Sequence, residues 1–183
     1  MRTRAFTAVV TLALSVLVPL SGCGYTTRTN LPEDIRSVYI APVENAIDLS
    51  GESGPQDRYP IYRPGVELDL RAAIVNRFIF DGTLKPVAAE HADAVLRSKL
   101  IEYRRDPLRY SNSDDVEEYR VSMVLEVVFE RAGGGKEVLW SQQVAGDTTF
   151  FLAGNRSVSE DDAQSRAVED LARRVVEKTV ELW

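Results

Sequence analysis

The 183-residue chain contains one cysteine and one histidine, and these two scarcities exclude several kinds of site. A single cysteine cannot form an internal disulfide bond, and neither a cysteine cluster nor a histidine-rich centre is available to bind zinc. Basic residues are also fewer than acidic ones, 22 against 28, which gives a net charge of −6. Since nucleic-acid binding needs an excess of Lys and Arg, the composition argues against nucleic acid as a partner.

The sequence also lacks the patterns that support catalysis. Acid–base chemistry needs converging carboxylates, or a carboxylate with a histidine. Residues 114–118 hold four carboxylates, which we interpret as an exposed acidic turn, and His91 stands beside Asp93 with no nucleophile elbow. The three glycines at 133–135 lack the Lys-Ser/Thr of a phosphate loop and predict a hairpin turn. We therefore expect a protein that is not an enzyme and has no metal or cofactor.

The N-terminus has the three parts of a bacterial export signal. Arg2 and Arg4 precede an apolar run over residues 5–18, which is shorter than the roughly 20 residues needed to span a bilayer. The following Leu-Ser-Gly-Cys resembles a bacterial lipobox and places the only cysteine, Cys23, at the processing site. This predicts a signal peptide over residues 1–22, cleaved before a lipidated Cys23. The alternative is an ordinary cleavage site with a chance cysteine.

The residues after Cys23 predict where the mature chain resides. Gly24 follows, rather than the Asp that keeps similar lipoproteins in the inner membrane, so we expect an outer-membrane anchor with the domain facing the periplasm. Residues 23–34 are polar and predict a lipidated tether. Residues 35–183 then predict a single domain with no internal repeat.

Two segments have the apolar spacing of amphipathic helices. The first is predicted to begin at Pro64 and to end at Gly82, a residue free to adopt the left-handed cap. Its predicted buried residues are Val66, Leu70, Ala73, Ile74 and Phe78. The second is predicted to begin after an N-cap at Ser159, with acidic residues in its first turn. Its predicted buried residues are Val168, Leu171, Val175 and Leu182.

Four segments have the composition of strands, at residues 36–43, 94–103, 119–130 and 138–150. Residues 44–63, between the first strand and the first helix, form a connection longer than most. The element order β-α-β-β-β-α predicts an α+β two-layer sandwich, in which a four-stranded mixed sheet carries both helices on one face. The other face of the sheet is expected to be polar.

A basic cluster runs against the acidic composition. Five cations fall within 13 residues, interleaved with Tyr103 and Tyr110. The cluster comprises Arg97, Lys99, Arg104, Arg105 and Arg109. Guanidinium groups pair bidentately with phosphate, so the cluster could hold an anionic amphiphile. The alternative is a strand whose polar face is simply solvated.

Several short motifs, in this order, resemble the LPS-assembly lipoprotein family, LptE. They are GCGY (22–25), VYIAPVEN (38–45), YRPGVELDL (62–70), FDGTL (80–84), LIEYRRDPLRYS (100–111), EEYRV (117–121) and AVEDLARRVVE (167–177). Together they extend over nearly the full mature chain.

The resemblance implies a non-enzymatic role. Members of this family sit in the lumen of the outer-membrane barrel LptD, where they act as a plug, assist barrel assembly and bind lipopolysaccharide during its delivery to the outer leaflet. The positions that best match the family's basic contact residues are Arg109 and Arg156. With Arg104 and Arg105 of the basic cluster, they form the predicted lipopolysaccharide-binding set. The alternative is a periplasm-facing lipoprotein subunit of another envelope secretion or lipid-trafficking system.

Overall fold

A computed structural model describes residues 31–47, 64–133 and 137–181. The predicted lipidation site Cys23, residues 48–63 of the long connection, two of the three consecutive glycines and Leu182 lie outside the described residues.

Six strands and two α-helices are found in the described part of the chain. In chain order they are β1 (Ser37–Ile40), β2 (Glu44–Asn45), α1 (Val66–Asp81), β3 (Lys85–Pro86), a 3-10 turn (Ala89–His91), β4 (Ala94–Tyr110), β5 (Val116–Arg131), β6 (Val138–Phe151) and α2 (Glu160–Glu181). The predicted α+β sandwich is confirmed, although the sheet has six strands where four were expected.

The two additional strands are short: β3 lies beside β1, whereas β2 follows β1 along the same edge of β4. The sheet order is β3-β1-β4-β5-β6, and β2 pairs with β4 beyond the end of β1. Pairing along β4 is interrupted at Pro42, which has no amide proton, so the single strand predicted over residues 36–43 ends at Ile40 and pairing resumes at Glu44. β1 pairs in parallel with β3 and with β4, and β2 pairs in parallel with β4. The β4–β5 and β5–β6 pairs are antiparallel.

The helix boundaries follow local capping chemistry. α1 begins at Val66, two residues later than predicted, because Gly65 adopts a left-handed φ of 100° in the turn that precedes the helix. Its predicted end is confirmed: Gly82 has a φ of 78°, and its N–H donates to the carbonyl of Phe78. The predicted N-cap of α2 is also confirmed, since Ser159 Oγ accepts a 3.0 Å hydrogen bond from the N–H of Asp162.

β4 is longer than predicted and changes its alternation partway along. It continues for 17 residues to Tyr110, which corresponds to a length of about 50 Å at the usual rise per residue. A register shift between Leu100 and Glu102 places an extra residue in β4, so Tyr103 is buried on the same side as Leu100. Two further shifts near Arg109 accompany the end of the strand.

The core lies between one face of the sheet, here called the inner face, and the two helices. It includes alternate residues of β5 together with the buried stripes of α1 and α2. The opposite or outer face is polar and half-exposed, as predicted, and in the described residues no helix covers it. None of the helices described has the length and apolar composition needed to span a membrane.

Candidate functional site

One end of the sheet brings together two segments that are distant in the sequence; we call it the tip and define it as residues 108–118 and 151–158. β4 turns into β5 through residues 111–115, where the N–H of Ser111 donates to the carbonyl of Asp115 at 2.7 Å. The N–H of Leu152 donates to the carbonyl of Glu117 at 3.0 Å, which holds the segment after β6 against this turn. The tip is therefore a defined surface held together by one local and one non-local backbone hydrogen bond.

Two of the predicted lipopolysaccharide-binding residues lie at the tip. The Arg109 side chain is 60% exposed, its Nε is 3.5 Å from Glu118 Oε2, and its guanidinium lies 5.7 Å from the ring centroid of Phe151. Gly154 has a φ of 89°, in the left-handed region that glycine adopts readily, and Arg156 is exposed in the turn that follows it. Within the described chain, Arg156 has no ion pair. The tip thus presents two accessible guanidinium groups.

The tip also exposes apolar side chains that the sequence reasoning did not identify. Leu108, Tyr110 and Leu152 are exposed large hydrophobic residues in the same region. A detectable signal was the apolar run over residues 150–152, because three consecutive apolar residues at the end of a strand cannot all face one side. Apolar groups beside cations match an anionic amphiphile, whose acyl chains and phosphates require these two kinds of contact.

The acidic segment beside these cations is an exposed turn, as the sequence indicated. Asp114 adopts a positive φ of 61°, and Asp115 Oδ2 accepts a 3.0 Å hydrogen bond from Ser113 Oγ. Because Glu118 pairs with Arg109, an incoming phosphate would compete with a carboxylate for that guanidinium.

Arg104 and Arg105 lie on opposite faces of the sheet and outside the tip. Arg104 is on the outer face, with Nε 2.6 Å from Glu102 Oε1 and 3.9 Å from Asp106 Oδ2. Arg105 is on the inner face, where its Nη1 donates to Glu160 Oε2 at 2.8 Å and its guanidinium lies 4.6 Å from the ring centroid of Tyr119. Arg105 therefore connects β4 to the first turn of α2.

The basic cluster consequently does not form one continuous patch. Arg97 lies on the outer face with Nε 2.7 Å from Glu130 Oε1. Each arginine of the cluster has at least one carboxylate within 4 Å, so the positive charge of β4 is largely balanced locally.

Asp93, two residues after His91, has a structural role at the start of β1. Its Oδ2 accepts hydrogen bonds from Ser37 Oγ at 2.7 Å and from the N–H groups of Arg36 and Ser37 at 3.1 and 3.0 Å. The Ser37 hydroxyl, followed by the Arg36 N–H, holds the pKa of Asp93 below its ordinary value. In the described residues, no group of three or more His, Cys, Asp or Glu side chains could hold a metal ion.

The end of the sheet opposite the tip is where the described chain begins. It comprises the start of β1, the end of β5 and the residues just before β6, and we call it the base. Asp34 pairs with Arg131 at the end of β5, and Arg131 Nε lies 2.9 Å from Glu137 Oε2 just before β6. The hydrogen bonds of Asp93 hold Arg36 and Ser37 at the same end. The base and the tip are separated by the length of β4.

Comparisons with known proteins agree with this fold. A family model described as LptE, lipopolysaccharide-assembly, matches residues 35–179. A solved structure of a protein from Xanthomonas campestris, assigned to family DUF330, is 16% identical with a TM-score of 0.52, covering 86% of this chain and 90% of that one. A hypothetical protein from Chlamydia trachomatis is 15% identical with a TM-score of 0.51, covering 79% of this chain and 95% of that one. These two similarities show the fold alone. No curated protein matches the sequence.

Proposed function

Because the chain belongs to the LptE, lipopolysaccharide-assembly family, we propose that it is an outer-membrane lipoprotein that plugs the LptD barrel and assists its assembly. In this role it also takes part in delivering lipopolysaccharide to the outer leaflet. The proposed role is non-catalytic, and the proposed attached group is a covalent lipid on Cys23. The family match over residues 35–179 is the observation that carries the proposal.

The position of the base supports attachment through the N-terminus. Eight residue steps separate Cys23 from Leu31, the first described residue, and an extended chain of that length reaches at most about 29 Å. A lipid on Cys23 would therefore keep the base close to the periplasmic leaflet of the outer membrane. Several acyl chains on one residue would make this attachment stable.

The outer face of the sheet has the polarity that a barrel lumen requires. Lys99, Glu126 and Gln143 are adjacent across β4, β5 and β6, and the Arg97–Glu130 pair lies next to them. The interior of a transmembrane barrel is polar and hydrated, so the polar side chains of this face suit contact with the barrel wall.

The tip provides the groups needed to bind lipopolysaccharide. Arg109 and Arg156 would pair with its phosphates, and Leu108, Tyr110 and Leu152 would contact its acyl chains. Arg104 and Arg105 stay predicted contact residues, although each is already paired with a carboxylate that would compete with an incoming phosphate.

The decisive experiment is gentle detergent extraction of the intact lipoprotein, affinity capture and mass spectrometry of the captured proteins. A stoichiometric large β-barrel identified as LptD is the expected result. Recovery with components of a secretion or lipid-trafficking machine would instead support the alternative lipoprotein role.

Depletion in cells provides a second test. We expect misassembled barrel and reduced lipopolysaccharide at the cell surface. Normal barrel levels together with normal surface lipopolysaccharide would contradict the proposal.

A further inference from the structure

The C-terminal turn of α1 exposes two large apolar side chains to solvent. Ile79 is 64% exposed and Phe80 is 80% exposed, which makes Phe80 the most exposed large apolar residue in the described chain. Neither residue belongs to the buried stripe of α1, which is formed by Val66, Leu70, Ile74 and Phe78. These two side chains therefore have no role in the core.

These residues lie at the base, beside the entry of the N-terminal segment. α1 ends at Asp81, and four residues later Lys85 pairs with Ser37 at the start of β1. The N–H of Lys85 donates to the carbonyl of Arg36 at 3.0 Å. A third exposed apolar residue, Val138, is at the same end because it pairs with Glu130 near the end of β5.

The charges near this turn have both signs. Arg77 lies 5.2 Å from the ring centroid of Phe80 and 3.8 Å from Glu177, while Asp81 and Lys85 follow along the chain. A mixed set of charges does not select for a strongly anionic or a strongly cationic partner. Ile79 and Phe80 would therefore favour a partner through burial of apolar surface. The guanidinium of Arg77 beside them would lie at the depth of the lipid phosphates.

We propose that Ile79 and Phe80 insert into the phospholipid surface beside the acyl chains of Cys23, so that the base is held at the membrane by two adjacent contacts. This inference rests on the lipid anchor of the proposed function, because the tether of at most about 29 Å is what keeps the base at the bilayer. An aromatic and an aliphatic side chain at one helix end are suited to the interface between headgroups and acyl chains.

The test uses the lipidated protein reconstituted into zwitterionic phospholipid vesicles. The mature chain has only Cys23, whose thiol is occupied by lipid, so Ile79→Cys and Phe80→Cys variants can each carry one nitroxide label. The matched control is Leu68→Cys, on the same helix and 74% exposed, but 11 residues or about 16 Å nearer its start. The measurement is the accessibility of each label to oxygen, which partitions into lipid, and to a polar nickel chelate, which does not.

We expect the labels at positions 79 and 80 to be more accessible to oxygen than to nickel, unchanged by added salt, and the label at 68 to show the reverse. Nickel accessibility at 79 and 80 equal to that at 68 would overturn the inference. Protection that arises only when a barrel protein is added would also overturn it, by assigning the surface to a protein. Mass analysis of the Cys23 peptide reports the anchor separately: a chain without lipid would refute both the anchor and this contact. Loss of barrel capture alone would leave the contact standing.

Discussion

Gly146 of β6 lies so close to Leu171 of α2 that a Cβ atom on Gly146 would stand 2.5 Å from the Leu171 Cβ. It would also lie 2.7 Å from the Cα and backbone nitrogen of Leu171. Since two of these three atoms belong to the helix backbone, a change of rotamer cannot relieve the contact. The glycine thus sets how closely α2 packs on β6, and the N–H of the next residue, Asp147, donates to Asp170 Oδ2 at 3.3 Å.

Replacing this glycine should destabilise the packing of α2. We expect Gly146→Ala to lower the free energy of unfolding by about 3 kcal/mol, because the added methyl overpacks a backbone contact. Urea unfolding measures the change, and Ala145→Ser at the adjacent exposed position is the control, with an expected effect within about 0.5 kcal/mol. Equal stability of Gly146→Ala and the wild type would contradict the close approach.

The N-cap of α2 offers a second test of stability. Ser159 Oγ accepts from the Asp162 N–H and donates to its carboxylate, so Ser159→Ala should lower the free energy of unfolding by about 1 kcal/mol. Ser165→Ala is the control, because its hydroxyl only bonds to the carbonyl of Asp161 within the helix. The prediction, measured by urea unfolding, fails if both variants lose the same amount.

Asp93 makes the stability of the base dependent on pH. Because hydrogen bonds from Ser37 and Arg36 hold the folded-state pKa of Asp93 below its ordinary value of 3.8, its contribution is complete above that pH. The contribution is lost as the pH falls through the lower folded-state pKa. We therefore expect Asp93→Asn to be less stable than the wild type at neutral pH, and the difference to shrink on acidification. The difference should stay below about 1 kcal/mol because the carboxylate is exposed to solvent.

Urea unfolding from neutral pH to about pH 3 measures that difference, a range chosen to pass the ordinary carboxyl pKa. Glu90→Gln, at an exposed position in the adjacent 3-10 turn, is the matched control. A destabilisation by Asp93→Asn that grows as the pH falls would contradict the assigned sign.

The tip should account for most of the affinity for lipopolysaccharide. We expect the double variant Arg109→Ala, Arg156→Ala to bind about tenfold more weakly, because two charge-assisted contacts to phosphate are lost. The loss should diminish at high salt, which screens exposed charges. Binding to immobilised lipopolysaccharide at several salt concentrations measures it.

Arg120→Ala is the control for this series, since Arg120 is a 48% exposed arginine on β5 that pairs with Asp147. Arg104→Ala and Arg105→Ala test the other two predicted positions, where we expect smaller losses because both arginines lie outside the tip and are paired with carboxylates. An unchanged affinity of the tip double variant at low salt would contradict the proposed site.

The elements that could be predicted from the sequence are those set by local patterns. The buried residues of β5 from Val121 to Phe129 follow a strict alternation, and Gly82 ends α1 where a left-handed residue is needed. These features depend on neighbouring residues only, so periodicity and capping chemistry were sufficient to find them.

The features that were missed depend on contacts between distant residues. The bulge after Leu100 reverses the alternation of β4 and moves Arg105 to the inner face, where Glu160, 55 residues later, becomes its partner. Sequence proximity alone had grouped Arg104 and Arg105 in one basic cluster. The apolar residues at the tip and at the end of α1 were missed because exposure depends on packing that no local pattern reveals.

The length of β4 has a consequence for how the molecule can be arranged across a membrane. Its extent of about 50 Å exceeds the roughly 30 Å thickness of the hydrocarbon core of a bilayer. A chain tethered by its base at one leaflet could therefore present its tip beyond the opposite leaflet. Removing two facing residues from each of β4, β5 and β6 would shorten the sheet by about 7 Å, and every remaining side chain would keep its face. Removing one residue from each strand would instead move the side chains beyond the deletion to the opposite face of the sheet.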